Sequence, residues 1–256
     1  MKDKLLFKFL LVLILAFALG ISQSQAQERV IIKLDGTMTP VLNENFGTHK
    51  YNQILTTTRD STSVSKIYDL QNRLVIQTRE KYNEELGYNE AIISSYDTLQ
   101  NLISSELKNI DNGSFVKVFL ASGKIVSRLA FFADQDYKFY LGESETPTVE
   151  STKNPMVVQM DYETRDYNSF LAQNLKYPPQ ARERREMGTV ILALDINEAG
   201  EVVEISCLNE DELYKPLISE AIRVVKGFNP NFIAPIDLHG NKISSTVRIP
   251  IRFKLS

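Results

Sequence analysis

Residues 243–255 constrain the fold most. Ile243, Ser245, Val247, Ile249, Ile251, Phe253 and Leu255 alternate with Ser244, Thr246, Arg248, Pro250, Arg252 and Lys254. A period of two puts the first set on a buried face and the second toward water, so a strand is expected. Pro250 narrows the reading. Proline gives no N–H and sits in sheets on edge strands or at bulges. The strand is therefore expected to keep a free edge, which Arg248, Arg252 and Lys254 would guard against indiscriminate pairing.

The preceding eighty residues supply partners for that strand. Asn168 or Ser169 can cap a short helix burying Phe170, Leu171 and Leu175. Pro178 ends it, because the residue before a proline is pushed out of helical geometry. Pro179 then opens a second helical turn over Gln180 to Met187, with Gly188 as its left-handed cap. Val190, Leu192, Leu194 and Ile196 share one face of a strand. Asn197-Glu198-Ala199-Gly200 reads as a turn, and Val203, Ile205 and Cys207 share a face of the returning strand. A helix follows with Leu213, Leu217, Ala221, Val224 and Phe228 on one stripe. Pro216 lies in its first turn, and Arg223, Lys226 and Gly227 mark its end.

The stretch from about residue 30 to 140 reads as antiparallel β-structure. Val30 to Leu34 is a strand ended by Asp35-Gly36. Tyr68-Asp69-Leu70-Gln71-Asn72 is echoed by Tyr96-Asp97-Thr98-Leu99-Gln100-Asn101, 28 residues on. Phe119 to Val126 has the same strand–turn–strand form. Repetition at such a period points to stacked hairpin units, with turns at Gln71-Asn72, Gln100-Asn101 and Ser122-Gly123. Residues 142–161 carry little apolar content and two prolines, and are expected as an exposed linker.

The first residues read as an export signal. Lys2, Lys4 and Lys8 precede the apolar run Phe9 to Leu19, and Ser24 and Ala26 fit a signal-peptidase site. The expected organisation is a signal peptide over 1–26, a β-rich domain over 27–141, a linker over 142–161 and a C-terminal α/β domain over 162–256. Removing 1–26 takes away three Lys and one Asp and moves the net charge from −3 to −5. A mildly acidic chain has no electrostatic reason to seek nucleic acid.

No enzyme motif is present. The single Cys207 excludes an internal disulfide and reads as a small buried strand residue. His49 and His239 lack metal-ligand spacing, and His239-Gly240-Asn241 reads as a turn. The charged run Arg182 to Glu186 reads as a solvated helix face, and the neighbouring acids Glu84-Glu85 and Asp211-Glu212 point apart. No cofactor or metal is expected.

Several motifs in order carry a resemblance. Tyr177-Pro178-Pro179-Gln180-Ala181, Gly188-Thr189-Val190 with Asp195 to Val202, Glu220-Ala221-Ile222 and Ile249-Pro250-Ile251-Arg252-Phe253 together resemble the TonB C-terminal domain over about residues 165–256. The resemblance implies an α/β domain with a three-stranded antiparallel sheet and helices. The whole chain is then α+β, the N-terminal part being hairpin-like antiparallel repeats. It also implies a periplasmic protein-interaction module that takes an extended segment of an outer-membrane receptor, or of another cell-envelope protein, beside its last strand. The peptide-binding residues would be Tyr177, Pro178, Thr246, Val247, Arg248, Ile249, Pro250 and Ile251. Other readings stay open. An uncleaved N-terminus would give an inner-membrane-anchored energy transducer facing the periplasm. A cleft in the β-rich domain would give an enzyme or a glycan-binding function there. Self-pairing of the edge would give a homodimer.

Overall fold

The computed structural model describes residues 26–41, 48–58, 61–132, 136–161 and 164–255. Apart from Ala26, the expected signal peptide lies outside them. The chain divides into two compact units between Lys153 and Asn154.

The N-terminal unit is one ten-stranded antiparallel sheet in which every strand pairs with its neighbours in sequence. The strands are β1 (Ala26–Leu34), β2 (Tyr51–Thr58), β3 (Ser63–Asp69), β4 (Leu74–Asn83), β5 (Tyr88–Tyr96), β6 (Leu102–Asn109), β7 (Phe115–Ala121), β8 (Lys124–Phe131), β9 (Tyr137–Leu141) and β10 (Val149–Ser151). The expected meander of hairpins is present. Asn72, Gln100, Ser122 and Gly123 all adopt positive φ at the turns. Asp69 and Asp97 explain the echo between the first two units. Each carboxylate accepts backbone N–H groups two and four residues on, at Gln71 and Arg73 or at Leu99 and Asn101. Short Asp and Asn side chains make this local bond readily, which is why they nucleate turns. Gln100 then links one unit to the next, accepting from Leu74 N and donating to Leu74 O, both at 3.0 Å.

The C-terminal unit is helices packed on a short sheet. Its elements are β11 (Gln159–Met160), α1 (Thr164–Asn174), α2 (Pro179–Glu183), β12 (Gly188–Ile196), β13 (Val202–Cys207), a 3-10 turn (Glu210–Glu212), α3 (Lys215–Phe228), β14 (Phe232–Ile233) and β15 (Ser245–Phe253). The three long strands form an antiparallel sheet in the order β13-β12-β15. Val190, Leu192, Leu194 and Ile196 of β12 and Ile249, Ile251 and Phe253 of β15 meet Leu217, Ala221, Val224 and Val225 of α3 in one buried core. The expected alternation of β15 therefore holds from Ser245 to Phe253.

Several local expectations are corrected. α1 begins at Thr164, four residues before Asn168, and buries Tyr167 as well as seating Phe170. α2 ends at Glu183, and Arg185, not Gly188, takes the left-handed conformation after it. Gly188 opens β12, where a Cβ would lie 2.5 Å from the Leu213 side chain. Its smallness serves a tertiary contact. α3 runs on through Gly227 and is capped at Asn229, with φ 51°. In β13 a bulge opposite Asp195 and Ile196 sets Val202, not Val203, against the core. Val203 is the extra residue, 65 % exposed. The stretch 142–161 holds β10, paired with β9, and β11, paired with β14. Backbone pairing there needs no apolar side chain, so composition gives no sign of it.

Candidate functional site

The direction of the hydrogen-bonding groups along β15 decides what the strand can do. In an antiparallel pair, both backbone groups of a residue point to the same side, and sides alternate along the strand. Ile191 of β12 donates its N–H to Asn209 Oδ1 at 3.0 Å and accepts at its carbonyl from Leu208 N at 2.9 Å. Thr189 O likewise accepts from Asn209 Nδ2 at 3.0 Å. Both residues thus face β13. Ile191 lies opposite Pro250, and Thr189 opposite Arg252. These are non-hydrogen-bonded pairs, so Pro250 and Arg252 turn their backbone groups away from β12. By the period of two, Arg248 and Thr246 do the same.

The outer edge of β15 therefore presents three N–H groups, of Thr246, Arg248 and Arg252, and four carbonyls, those three and Pro250. No strand pairs with it on that side among the described residues. Ser245, Val247, Ile249, Ile251 and Phe253 spend their backbone groups on β12. This accounts for Pro250. Its missing donor falls on the open edge, where it breaks no bond of the sheet.

Side chains divide the same way. Val247, Ile249 and Ile251 point to the helix side, the last two fully buried. Thr246, Arg248 and Pro250 are exposed on the other face. Thr246 is anchored there, donating from Oγ1 to Asp195 Oδ1 at 2.6 Å. Tyr177 lies on the helix side at the end of the strand. Its ring meets Phe253 edge-on at 5.8 Å, its hydroxyl donates to Glu186 O at 2.5 Å, and the Arg182 guanidinium sits over it at 5.8 Å. Pro178 precedes α2, and its carbonyl accepts from Arg182 N at 3.0 Å. The structure thus brings Tyr177 to β15 through Phe253, as a packed side chain that holds the turn against the strand.

The group that positions this turn is Glu220, named above only as part of the Glu220-Ala221-Ile222 motif. Glu220 of α3 accepts from Lys176 N at 2.6 Å and from Arg223, whose guanidinium also donates to Asn174 O at 2.7 Å. The Arg223 hydrogen bonds beside Glu220 hold its carboxyl below the usual range, against partial burial. Glu220 and Lys176 lie 44 residues apart, beyond any local sequence signal.

β13 is the other border of the sheet, also unpaired on its outer side among the described residues. Its bulge at Val203 bends it, and a bent edge is a poor template for a further strand. β15 has nine residues in unbroken register with β12. In the N-terminal unit, a groove of about 610 Å³ runs past Lys50, Tyr51, Arg73 and Tyr96. Asp69 and Asp97, which line it, are committed to their turns. Cys207 is half-buried, its thiol 3.6 Å from Asn209 Oδ1.

Residues 173–255 match the family model described as Gram-negative bacterial TonB protein C-terminal. No curated protein and no solved structure matches the chain.

Proposed function

Starting from a chain that carries a TonB C-terminal domain at residues 173–255, we propose that this domain receives an extended segment of an outer-membrane receptor as an added strand along β15. The domain family is a periplasmic, non-enzymatic interaction domain of TonB-dependent transport. The open edge formed by Thr246, Arg248, Pro250 and Arg252 carries the finer reading. Strand addition takes its affinity from backbone hydrogen bonds and its selectivity from the alternate side chains. β15 offers seven unspent backbone groups in one straight row, on a strand fixed by nine paired residues. Among the described residues, no helix is long and apolar enough to cross a membrane. The chain acts in the periplasm, exported through its N-terminal segment.

Amide hydrogen exchange tests the site directly. Val247, Ile249 and Ile251 should exchange slowly in the free protein, and Thr246, Arg248 and Arg252 fast. A bound receptor segment should slow those three and leave the others unchanged. A segment that binds without protecting any of the three is held elsewhere, and the edge is then not the site.

A further inference from the structure

We propose that the segment received by β15 is acidic. It carries two carboxylate side chains four residues apart, with apolar residues next to each and any residue between them. The proposal deepens the strand-addition reading and rests on it.

Two arginines flank the open edge. Arg248 and Arg252 are both exposed on the solvent face of β15, about 14 Å apart at the rise of a strand. Their neighbours on β12 are Ala193 and Thr189, which carry no charge. The one acid in β12, Asp195, lies opposite Thr246 and accepts its hydroxyl. Among the described residues, neither arginine forms an ion pair. The open edge is thus flanked on one face by two uncompensated guanidinium groups.

A strand added at this edge sets its own side chains about 5 Å from Arg248 and Arg252, the distance of a cross-strand pair. A carboxylate meets the planar fork of arginine with two parallel hydrogen bonds. A lysine at the same position would meet a like charge, which is unfavourable across a strand pair. Between the arginines, the incoming residues opposite Ile249 and Ile251 turn toward the helix side, where apolar side chains suit. The residue opposite Pro250 finds no donor and faces a ring, so its identity is free. The resulting pattern reads the same in both directions. It therefore holds whether the segment runs parallel or antiparallel to β15.

The test uses the full chain and three capped peptides, Ser-Glu-Val-Thr-Val-Glu-Ser and its analogues with both Glu replaced by Gln or by Lys. Fluorescence anisotropy at low salt reads their affinities. The Glu peptide should bind about tenfold tighter than the Gln peptide, and the Lys peptide weaker still, as two cross-strand charge pairs would give. The double variant Arg248→Gln, Arg252→Gln should erase the preference, so that the Glu, Gln and Lys peptides bind alike. The double variant Arg182→Gln, Arg184→Gln should keep it. Glu and Gln peptides binding within twofold of each other would overturn the acidic specificity while strand addition stands. The proposal also falls if the preference is lost in the Arg182 and Arg184 variant instead. If no peptide binds, strand addition by such segments falls, and the acidic specificity with it.

Discussion

At the scale of the residue, Pro250 is the most informative position. Its neighbours Ile249 and Ile251 bond to β12, whereas its own nitrogen faces the open edge, because Ile191 opposite it is engaged with Leu208 and Asn209. The proline interrupts the row of donors without weakening the sheet. It also limits casual pairing with other exposed strands, a common safeguard at sheet borders. Pro250→Val restores one N–H to the edge. One added backbone hydrogen bond contributes about 0.5–1.5 kcal/mol net, so an added peptide should bind roughly two- to tenfold tighter. The same variant should show more self-association by sedimentation velocity. If both affinity and association stay at the wild-type level, the nitrogen of residue 250 does not face a ligand.

At the scale of the element, the turn between α1 and α2 depends on α3. Glu220 joins Lys176 N and Arg223, and Arg223 reaches Asn174 O. Because Arg223 and then Lys176 lower the folded-state pKa of Glu220, the linkage has a definite sign. The contribution is whole above the unfolded carboxylate pKa, about 4.3, and is lost as pH falls through the lower folded value. Glu220→Gln keeps an acceptor for Lys176 but gives up the charge. It should cost about 1 kcal/mol at pH 7, as a partly exposed charge-assisted bond does. The deficit should hold above about pH 4.3 and narrow as pH falls below it, in thermal unfolding of the C-terminal unit. A deficit that stays constant as pH falls would mean that the charge of Glu220 is not what holds the turn. The same element shows what a sequence can and cannot tell. The alternation of β15, the free edge signalled by Pro250 and the turns at Asn72, Gln100 and Ser122-Gly123 are local demands on φ, period or donors, and all were legible. The hold of Glu220 on Lys176, the contact of Gly188 with Leu213 and the bulge at Val203 depend on residues far apart in sequence or on the partner strand. No window of neighbours carries them. β10, β11 and β14 are two or three residues long, too short to show a period. Of the eight expected binding residues, the structure gives solvent-facing side chains to Thr246, Arg248 and Pro250. It buries Ile249 and Ile251 and packs Tyr177 on Phe253.

At the scale of the molecule, two units of different construction share one chain. The N-terminal unit is a single sheet extended hairpin by hairpin, whose order is set by local turns. The C-terminal unit is a small α/β body whose core residues all fall between Val158 and Phe253, so that core lies wholly within residues 154–256. The family match begins at residue 173, inside α1, and so leaves out part of that body. Tyr167 is 5 % exposed, and its ring lies 5.2 Å from that of Phe228, which also meets Phe170 at 5.1 Å. β11 pairs with β14, and Pro155 O accepts from Ile236 N at 2.9 Å. A fragment of residues 173–255 loses the two rings, the β11 pair and the Pro155 bond. The full burial of Tyr167 and the partial burial of Phe170 together contribute roughly 2–5 kcal/mol. The fragment 154–256 should therefore unfold cooperatively in urea and bind peptide as the full chain does. The fragment 173–255 should be less stable by about that amount, a large fraction of the stability of a domain this size. Equal urea midpoints for the two fragments would show that the segment before residue 173 is an appendage. The receptor-binding body would then be the matched region alone.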